Sequence, residues 1–466
     1  MSLADMVALM PLILLAATPV AVMLAIAVRR SHDMAFALTA TGLVATLVSA
    51  GMEWPVPPGD VTALFVIDRW ALFYTALVAA AAIVVAMLSH GYLERRRAKR
   101  EEYYVLLLLA TAGAAAIVSS RHFVSFILGL EVLSVSLYAL AAYVREDALN
   151  LEAGMKYLVL GGTSSAFLLF GAALVYADTG ALALTGAAMS PLVLGGIAMI
   201  LVGVGFKLGL VPFHLWTPDV YEGAPAPVTA FVATVSKGAV LALVVRWFGP
   251  MIAGSHDALM LVFSALALAS MFAGNLLALM QNNVKRILAY SSIAHMGYLL
   301  VAFLAGGALA TAAVSFYLVA YFVTTLGAFG VIAVLSTGER DADRMEDFRG
   351  LARRRPWLAG LMTAMLLSLA GIPLTAGFVG KFYVFLAGVG GSLWLLVLAF
   401  AVNSTIGLFY YLRIVMMIFQ SQVGPVPPSP RVPVMAGVAL GALGVLLIAI
   451  GVWPAPLVEI VRSLVP

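Results

Sequence analysis

Apolar runs of roughly 18 to 25 residues recur along the whole chain, and strict alternation of apolar and polar positions is absent from them. A helix needs about 20 apolar residues to cross a bilayer, and only helices and closed β-barrels cross it. Because the runs are rich in Leu, Ala and Gly, the pattern predicts an all-α polytopic membrane protein with about 14 transmembrane helices. The predicted helices lie near residues 7–28, 35–52, 67–89, 103–119, 122–142, 154–176, 192–211, 226–248, 258–280, 285–305, 309–335, 357–388, 393–420 and 433–453.

The predicted helices form two groups of five between shorter end segments. Three N-terminal helices occupy residues 1–102, the two groups occupy 103–250 and 255–420, and one C-terminal helix occupies 421–466. Because five is an odd number, consecutive groups enter the membrane from opposite sides, which is typical of the inverted repeats of transporters. We therefore expect two inverted five-helix repeats.

The fourth helix of each group is interrupted by proline and glycine. The first breaks at Pro212 in FKLGLVPFHLW, and the second breaks around Pro373 in SLAGIPLTAGFVGK. Proline removes a backbone donor and frees a carbonyl, and the resulting helix ends carry partial charges. A lysine is near each break, Lys207 before the first and Lys381 after the second, as inverted copies require. Paired interruptions of this kind indicate an ion site.

Composition favours lipid as the solvent of this chain. Of its 466 residues, 63% are apolar and 10% are charged, and the mean hydropathy is +1.07. Soluble domains carry about 25% charged residues.

We expect the first run to be retained as a helix rather than cleaved as a signal peptide, because MSLADM has no positive charge and Arg29 and Arg30 follow the run.

Basic residues are distributed unevenly between the two predicted membrane faces. If the N-terminus lies outside, the inside connections hold 17 Lys and Arg residues and the outside connections hold 4. The positive-inside rule then predicts both termini outside and makes the basic turn ERRRAKREE (94–102) a cytoplasmic anchor. The net charge of +4 is attributed to loops that face lipid headgroups, and no nucleic-acid partner is indicated.

Several kinds of chemistry are excluded or disfavoured. The chain has no cysteine, so it cannot hold a thiolate-bound iron–sulfur cluster or form a disulfide. The phosphate-binding, dinucleotide-binding and H-E-x-x-H zinc motifs are absent, and six scattered histidines predict no metal site. If the protein does uphill work, the energy must come from a gradient or from a partner.

Ionisable side chains nevertheless occur inside the predicted helices, at Glu131, Lys156, Lys207, Lys237, His295 and Lys381. An ionised group at the bilayer centre costs about 2.5–3.5 kcal/mol on insertion scales, so this set predicts a hydrated interior. The core cations are all lysines in a chain with 20 Arg and 6 Lys, whereas Arg413 lies near a helix end and can extend to the interface. Lysine can release a proton and arginine cannot, which favours proton transfer over static anchoring.

Structural roles stay open for the same side chains. A buried ion pair would explain Glu131 and Lys207, and the other two deep lysines could be structural. Lys156 lies in the first turn of the predicted helix 154–176 and could reach the interface. His295 is as compatible with a hydrogen-bonded core histidine as with a proton carrier. Capping or loop bonding is the favoured role of the polar residues after the first break, His214, Asp219 and Glu222.

Four stretches resemble the N-subunit family of bacterial respiratory NADH:quinone oxidoreductase, complex I. These are FKLGLVPFHLWTPDVYEGAPAPVTAFVATVSKGAV, NVKRILAYSSIAHMGYLLVA, YFVTTLGAFGV and LSLAGIPLTAGFVGKFYVF. HLWTPDVYEGAPAP resembles the N version rather than the related L and M subunits. The resemblance implies a 14-helix antiporter-like subunit of the inner membrane that couples quinone reduction elsewhere in the complex to proton translocation.

The resemblance also implies roles for the ionisable residues. Glu131 and Lys207 match an input pair, Lys237 a central relay, His295 a link, and Lys381 the residue beside the exit. A further lysine of the sixth helix matches Lys156. No cofactor or metal is expected in this chain, because FMN, iron–sulfur clusters and the quinone belong to other subunits. The expected partners are the other membrane-arm subunits, the peripheral redox subunits indirectly, and lipid.

Two other functions remain possible on sequence grounds. One is a subunit of an Mrp-type cation/proton antiporter, which would have a similar lysine and glutamate pattern without redox partners. The other is a scaffold that only seals a complex, in which case the lysines would be replaceable. Co-purification with flavin- and cluster-bearing subunits would distinguish the first alternative from the complex I function.

Overall fold

The computed structural model describes residues 3–54, 59–96, 99–182, 190–254, 256–421 and 431–464. Residues 97–98 of the predicted basic turn lie outside this part. The helices are α1 Leu3–Ala8, α2 Met10–Val28, α3 His32–Glu53, α4 Arg69–Arg95, α5 Glu101–Val118, α6 Phe123–Ala141, α7 Ala148–Thr179, α8 Pro191–Leu208, α9 Trp216–Gly223, α10 Ala226–Phe231, α11 Lys237–Ala253, α12 Asp257–Leu279, α13 Val284–Ala305, α14 Gly307–Leu335, α15 Leu351–Arg354, α16 Pro356–Ala370, α17 Ala376–Gly390, α18 Trp394–Phe419, α19 Val434–Val452 and α20 Ala455–Arg462. A π-helical turn, Val232–Ser236, joins α10 to α11, and a 3₁₀ turn, Met345–Phe348, precedes α15. Strands β1 Gly59–Asp60 and β2 Val66–Ile67 pair antiparallel.

Thirteen helices of the described residues are long and apolar enough to span a membrane, counting α10 to α11 as one. The predicted run 357–388 consists of two shorter apolar helices, α16 and α17, which meet at the predicted break. An all-α multi-pass membrane protein is therefore confirmed. The inverted relation of the two five-helix groups, and the boundaries of those groups, stay predictions.

The helices differ strongly in how much of their surface is covered. The most apolar 18-residue windows of Ala226–Ala253 and of α13 are completely buried, and that of α14 is 94% buried. By contrast, only 28% of the corresponding window is buried in α2 and in α19. The outer helices therefore expose large apolar side chains where lipid would lie, while the helices that carry Lys237 and His295 form the interior.

The first break begins where α8 ends. Gly209 follows Leu208 with a left-handed backbone (φ 70°), and the amide of Leu210 donates to the carbonyl of Gly205 at 2.8 Å. This hydrogen bond satisfies a carbonyl that the helix end leaves free. The connection from α8 to α9 consists of the seven residues 209–215, so Pro212 lies inside the interruption, as predicted.

The second break is shorter. Gly371 ends α16 with a left-handed backbone (φ 87°), and the amide of Ile372 donates to the carbonyl of Leu367 at 3.0 Å. The hydroxyl of Thr375 then accepts from the amide of Phe378 and caps the start of α17. The interruption therefore lies around Pro373, as the sequence predicts.

Two local predictions are wrong. Helix α7 begins at Ala148, because the carboxylate of Asp147 accepts from the amide of Leu149 at 3.0 Å and caps the helix six residues before the predicted start. Lys156 is therefore in the third turn and not in the first. Asp219 and Glu222 belong to the short helix α9 and not to a loop.

Candidate functional site

Lys207 lies in the last turn of α8 and is 2% exposed. Its Nζ atom donates to Ser134 Oγ at 2.6 Å and to Tyr138 OH at 3.4 Å, both on α6. The ring of Tyr157 on α7 is 5.5 Å from the same atom. The free carbonyls at the end of a helix carry partial negative charge, so the position in α8 favours an ammonium group.

Glu131, the proposed partner of Lys207, lies on the same face of α6 as Ser134 and Tyr138, because residues three and seven positions apart in a helix align. In the described part of the chain no ion pair within 4.0 Å joins Glu131 to Lys207. Instead, Ser134, about one turn further along α6, accepts the hydrogen bond from the Lys207 ammonium. Glu131 is only partly buried, and its neighbour Leu128 is 59% exposed. The two residues therefore share Ser134 as a neighbour but make no direct ion pair.

Lys237 is the first residue of α11, directly after the π-helical turn, and is fully buried. Its Nζ atom donates to Ser292 Oγ on α13 at 2.7 Å. The hydroxyl of Tyr321 on α14 donates to the same oxygen at 2.8 Å. The ring of Tyr221 lies 5.4 Å from the ammonium, so α9, the short helix that follows the first break, contributes a side chain to this site.

His295 on α13 is 2% exposed and has a hydrogen-bond partner at each ring nitrogen. Nδ1 is 2.7 Å from Tyr317 OH on α14, and Nε2 is 3.1 Å from Tyr411 OH on α18. Tyr411 is also hydrogen-bonded to Ser291. Both the hydrogen-bonded core and the proton-carrier interpretations are compatible with these contacts, because each hydroxyl can donate or accept.

Lys381 on α17 is 7% exposed and folds back towards the second break. Its Nζ atom donates to the carbonyl of Ala370, the last residue of α16, at 2.9 Å, and to Ser404 Oγ on α18 at 2.9 Å. The ring of Tyr298 lies 5.4 Å from this ammonium and 5.4 Å from the ring of His295. Tyr298 is therefore near both titratable groups.

Lys207, Lys237, His295 and Lys381 form what we call the axis. The sites of Lys237 and His295 use the same two helices, since Ser292 and His295 are three residues apart on α13. The ring of Trp216, the first residue of α9, stacks at 4.7 Å on Tyr157, whose ring is near Lys207. Among the described residues, no unbroken series of hydrogen bonds runs the length of the axis, but each ammonium has its own hydroxyl acceptor.

Lys156 is placed apart from the axis. Its Nζ atom lies 2.7 Å from Glu152 Oε1 and 2.7 Å from Asp219 Oδ2, and its side chain is 40% exposed. Arg286 at the start of α13 binds Asp219 at 2.9 Å and Glu222 at 2.7 Å. The two acidic residues of α9 therefore form ion pairs with α7 and α13, and the expectation of simple capping or loop bonding is wrong.

Sequence reasoning missed a buried cluster around Asp341, which follows α14. The carboxylate accepts from Lys285 Nζ at 2.8 Å, from Arg96 at 2.7 Å, from Tyr92 OH at 2.7 Å and from the amide of Ala226 at 3.0 Å. Burial alone would raise the pKa of Asp341, but Lys285 and Arg96 outweigh it and hold that pKa below its usual value. The sequence places Lys285 and Arg96 in cytoplasmic connections because of their charge alone. The signal that could have revealed the cluster is the position of Asp341 among the basic residues Arg340 and Arg344.

Comparisons with known proteins agree with this architecture. The family model described as NADH:quinone oxidoreductase/Mrp antiporter, transmembrane, matches residues 120–407. The NADH-quinone oxidoreductase subunit N of Methylococcus capsulatus is 50% identical over 97% of this chain and 94% of that protein. The subunit N of Ectopseudomonas mendocina is 48% identical over 98% of this chain and 96% of that protein.

Two solved structures are also similar. A chain of respiratory complex I from Thermus thermophilus with bound aureothin is 35% identical, with a TM-score of 0.85, over 97% of this chain and 99% of that chain. A chain of the Mrp complex from a Dietzia species is 21% identical, with a TM-score of 0.90, over 99% of this chain and 97% of that chain. The second similarity indicates a shared fold and no more.

Proposed function

This chain belongs to the NADH:quinone oxidoreductase/Mrp antiporter transmembrane family, and we propose that it moves protons as the N subunit of a respiratory complex I. The observation that carries the proposal is the axis of three lysines and a histidine, each at most 7% exposed and each bonded to a hydroxyl group. A purely structural interior has no need of four separated titratable groups, because each is expensive to bury.

The chemistry of the axis is proton transfer between amines through amphiprotic groups. Ser and Tyr hydroxyls accept and donate hydrogen bonds at once, so they can receive a proton from one group while passing another on. Lys237 and His295 are served by Ser292, Tyr321 and Tyr317, which lie on two adjoining helices. Ordered water between such groups would complete the route, since hydrated polar interiors are typical of membrane proton relays.

The input to this axis is proposed to come from a neighbouring membrane-arm subunit. Glu131 is partly exposed on an outer face of α6 that also exposes Leu128, Val132 and Val135. A carboxylate facing hydrocarbon is costly, so this face fits a protein neighbour better than lipid. A change of charge in that neighbour would alter the field at Glu131 and Lys207 and shift the Lys207 proton towards Lys237, with release beyond Lys381.

The complex supplies the energy. This chain has no cysteine to hold an iron–sulfur cluster. On its similarity to the N subunits, we assign electron transfer through FMN, clusters and quinone to other subunits, including those of the peripheral arm. The distribution of Lys and Arg favours both termini on the periplasmic side of a bacterial inner membrane.

Substitution of the central lysine tests the proposal. Lys237→Met keeps the length and apolar stem of the side chain and removes the only titratable atom. We expect the assembled complex in proteoliposomes to lose NADH-driven acidification of the lumen, followed with a pH-sensitive dye. Lys99→Met, at an exposed lysine, is the matched control and should retain acidification. Full acidification by assembled Lys237→Met would refute the relay.

Purification distinguishes the complex I function from the antiporter alternative. We expect the chain to co-isolate with flavin- and cluster-bearing subunits. A membrane assembly that lacks those subunits and exchanges sodium for protons on its own would favour the Mrp-type function instead.

A further inference from the structure

Four potential metal ligands converge between α3 and α4, away from the axis. His32 and Asp33 open α3, while His90 and Glu94 lie near the end of α4. One ligand atom from each residue lies within 4.8 Å of the ligand atoms of the other three. His90 Nε2 is 3.0 Å from Asp33 Oδ1, His90 Nδ1 is 4.0 Å from Glu94 Oε1, and the two imidazole rings stack at 4.2 Å.

We propose that His32, Asp33, His90 and Glu94 bind one divalent transition-metal ion of the Zn²⁺ class. Two imidazole nitrogens and two carboxylate oxygens form a four-ligand set, which is the coordination number that zinc prefers. Imidazole ligands suit zinc and its neighbours, whereas calcium and magnesium prefer oxygen ligands alone. The ligand atoms are spread more widely than in a filled site, and the two imidazole rings stack with only 10° between their planes. Because the lone pair of a ring nitrogen lies in the ring plane, binding requires one imidazole to turn out of the stack as the side chains move inward.

The state of His32 supports a ligand role independently of the proximity of the four residues. Its Nε2 atom is 2.9 Å from the hydroxyl of Tyr104 on α5, while its Nδ1 atom is buried and has no hydrogen-bond partner. Buried polar atoms without a partner are uncommon, and each needs an explanation. A metal-bound histidine typically has its second ring nitrogen hydrogen-bonded, which fixes the ring and leaves the first nitrogen for the ion. Tyr104 provides that fixing contact.

The neighbouring charged groups leave the carboxylates available. Arg30 pairs with Glu102 at 2.8 Å, and Arg100 donates to the backbone carbonyl of Glu94 rather than to its carboxylate. The side chains of Asp33 and Glu94 are 87% and 50% exposed, so an ion can reach them from water. An ion bound here would fasten the beginning of α3 to the end of α4.

The scattered positions of the six histidines predict no metal site. Spacing along the sequence does not reveal this cluster, because its residues come together only in the folded chain. His32 and His90 are separated by α3, the β1–β2 hairpin and most of α4, and they meet only because the two helices pack antiparallel with their ends level. The proposal does not depend on the function of the axis, since none of the four residues belongs to it.

Metal counting on the full chain tests the site. The protein would be purified in detergent with a tag that contains no histidine, stripped with a chelator, and dialysed against defined free Zn²⁺. We expect one tightly held zinc ion per chain by mass spectrometry, and a rise in the thermal unfolding midpoint when zinc is added. Cobalt(II) in place of zinc should give the visible spectrum of a four-coordinate nitrogen and oxygen site.

Matched variants identify the ligands. His90→Gln and Asp33→Asn should each weaken zinc binding at least tenfold, whereas His256→Gln, at a histidine outside the cluster, should leave it unchanged. Asp33 is so exposed that its amide variant should fold normally, which keeps the test valid if His90→Gln does not fold. Absence of bound zinc in the unmodified chain, or equal binding by the unmodified chain and Asp33→Asn, would overturn the proposal.

Discussion

The interruptions after α8 and after α16 share one arrangement at their first residue. Each half-helix ends in a left-handed glycine, Gly209 or Gly371, and each glycine faces a lysine that arrives from another helix. A Cβ atom on Gly209 would lie 3.2 Å from Nζ of Lys237, and one on Gly371 would lie 3.4 Å from Nζ of Lys381. Both ammonium groups are therefore held near the negative end of a half-helix.

The two breaks differ in how many cations they hold and in how their far sides are fixed. The end of α8 also carries Lys207, so two ammonium groups are near it, whereas α16 has one. Beyond the first break, Lys285 and Asp341 bind the backbone at the end of α9 and the start of α10. Beyond the second, the chain passes through the exposed Leu374, and the start of α17 is held by the Thr375 cap and by the amide of Gly377, which donates to Ser368 Oγ at 3.0 Å. The two breaks therefore share a lysine ammonium beside the end of a half-helix, and they differ in how firmly the chain after the break is held.

The largest expected effect follows from removing the carboxylate that fixes the first break. Asp341→Asn leaves Lys285 and Arg96, whose side chains are 1% and 3% exposed, without their counter-charge. Removing one partner of a buried ion pair typically costs about 3–5 kcal/mol. We expect a loss of this size in the free energy of unfolding, measured by denaturant titration in detergent. Glu339→Gln, at an exposed position in the same loop, should change it little.

The same substitution has a defined pH dependence. Because the pKa of Asp341 is lower in the folded protein than the usual 3.8, the carboxylate adds stability above that value and loses it as the pH falls below it. The difference in stability between the unmodified protein and Asp341→Asn should therefore shrink below pH 3.8 and stay constant near neutrality. A difference that grows on acidification would contradict the ion-cluster interpretation.

A smaller effect should separate the two lysines that face the glycines. Within the part of the chain that the structure describes, Lys237 has one hydrogen-bond acceptor, Ser292, whereas Lys381 has two, Ser404 and the carbonyl of Ala370. Hydrogen bonds to charged groups contribute about 1.5–3 kcal/mol. Ser292→Ala should therefore lower stability by about this amount and reduce proton translocation more than Ser404→Ala, which leaves Lys381 with a carbonyl. Equal losses in the two variants would show that the acceptors are interchangeable.

The features that the sequence predicts are those set by local chemistry. Apolar length specifies the spanning helices, and proline with glycine specifies both breaks to within a few residues. The burial of Lys207, Lys237 and Lys381 also follows from sequence, because each lies inside a predicted apolar run, although Lys207 is only four residues from the end of its run. These signals act over one helix at a time, so packing of other helices does not obscure them.

The features that were missed depend on residues distant in sequence. Lys285 resembles any basic residue of a cytoplasmic connection until Asp341, after the next helix, is packed against it. The hydroxyls that serve the axis, such as Ser292 and Tyr317, look like ordinary members of apolar runs. The sequence prediction places Lys156 two turns too near the start of its helix. It takes the start from the apolar run, whereas Asp147 caps α7 before that run begins.

The smallest expected effect belongs to Lys156, which the resemblance to the family assigned to the relay. Its side chain is 40% exposed, and exposed ion pairs contribute about 0–1 kcal/mol. After Lys156→Met, Asp219 keeps its contact with Arg286, so α9 remains fixed and stability should fall by less than about 1 kcal/mol. Lys285→Met is the contrasting control, because its buried ammonium makes three hydrogen bonds near the first break and its loss should be severalfold larger. Proton translocation by folded Lys156→Met should fall less than tenfold, and its complete loss would place this lysine on the proton path beside the first break.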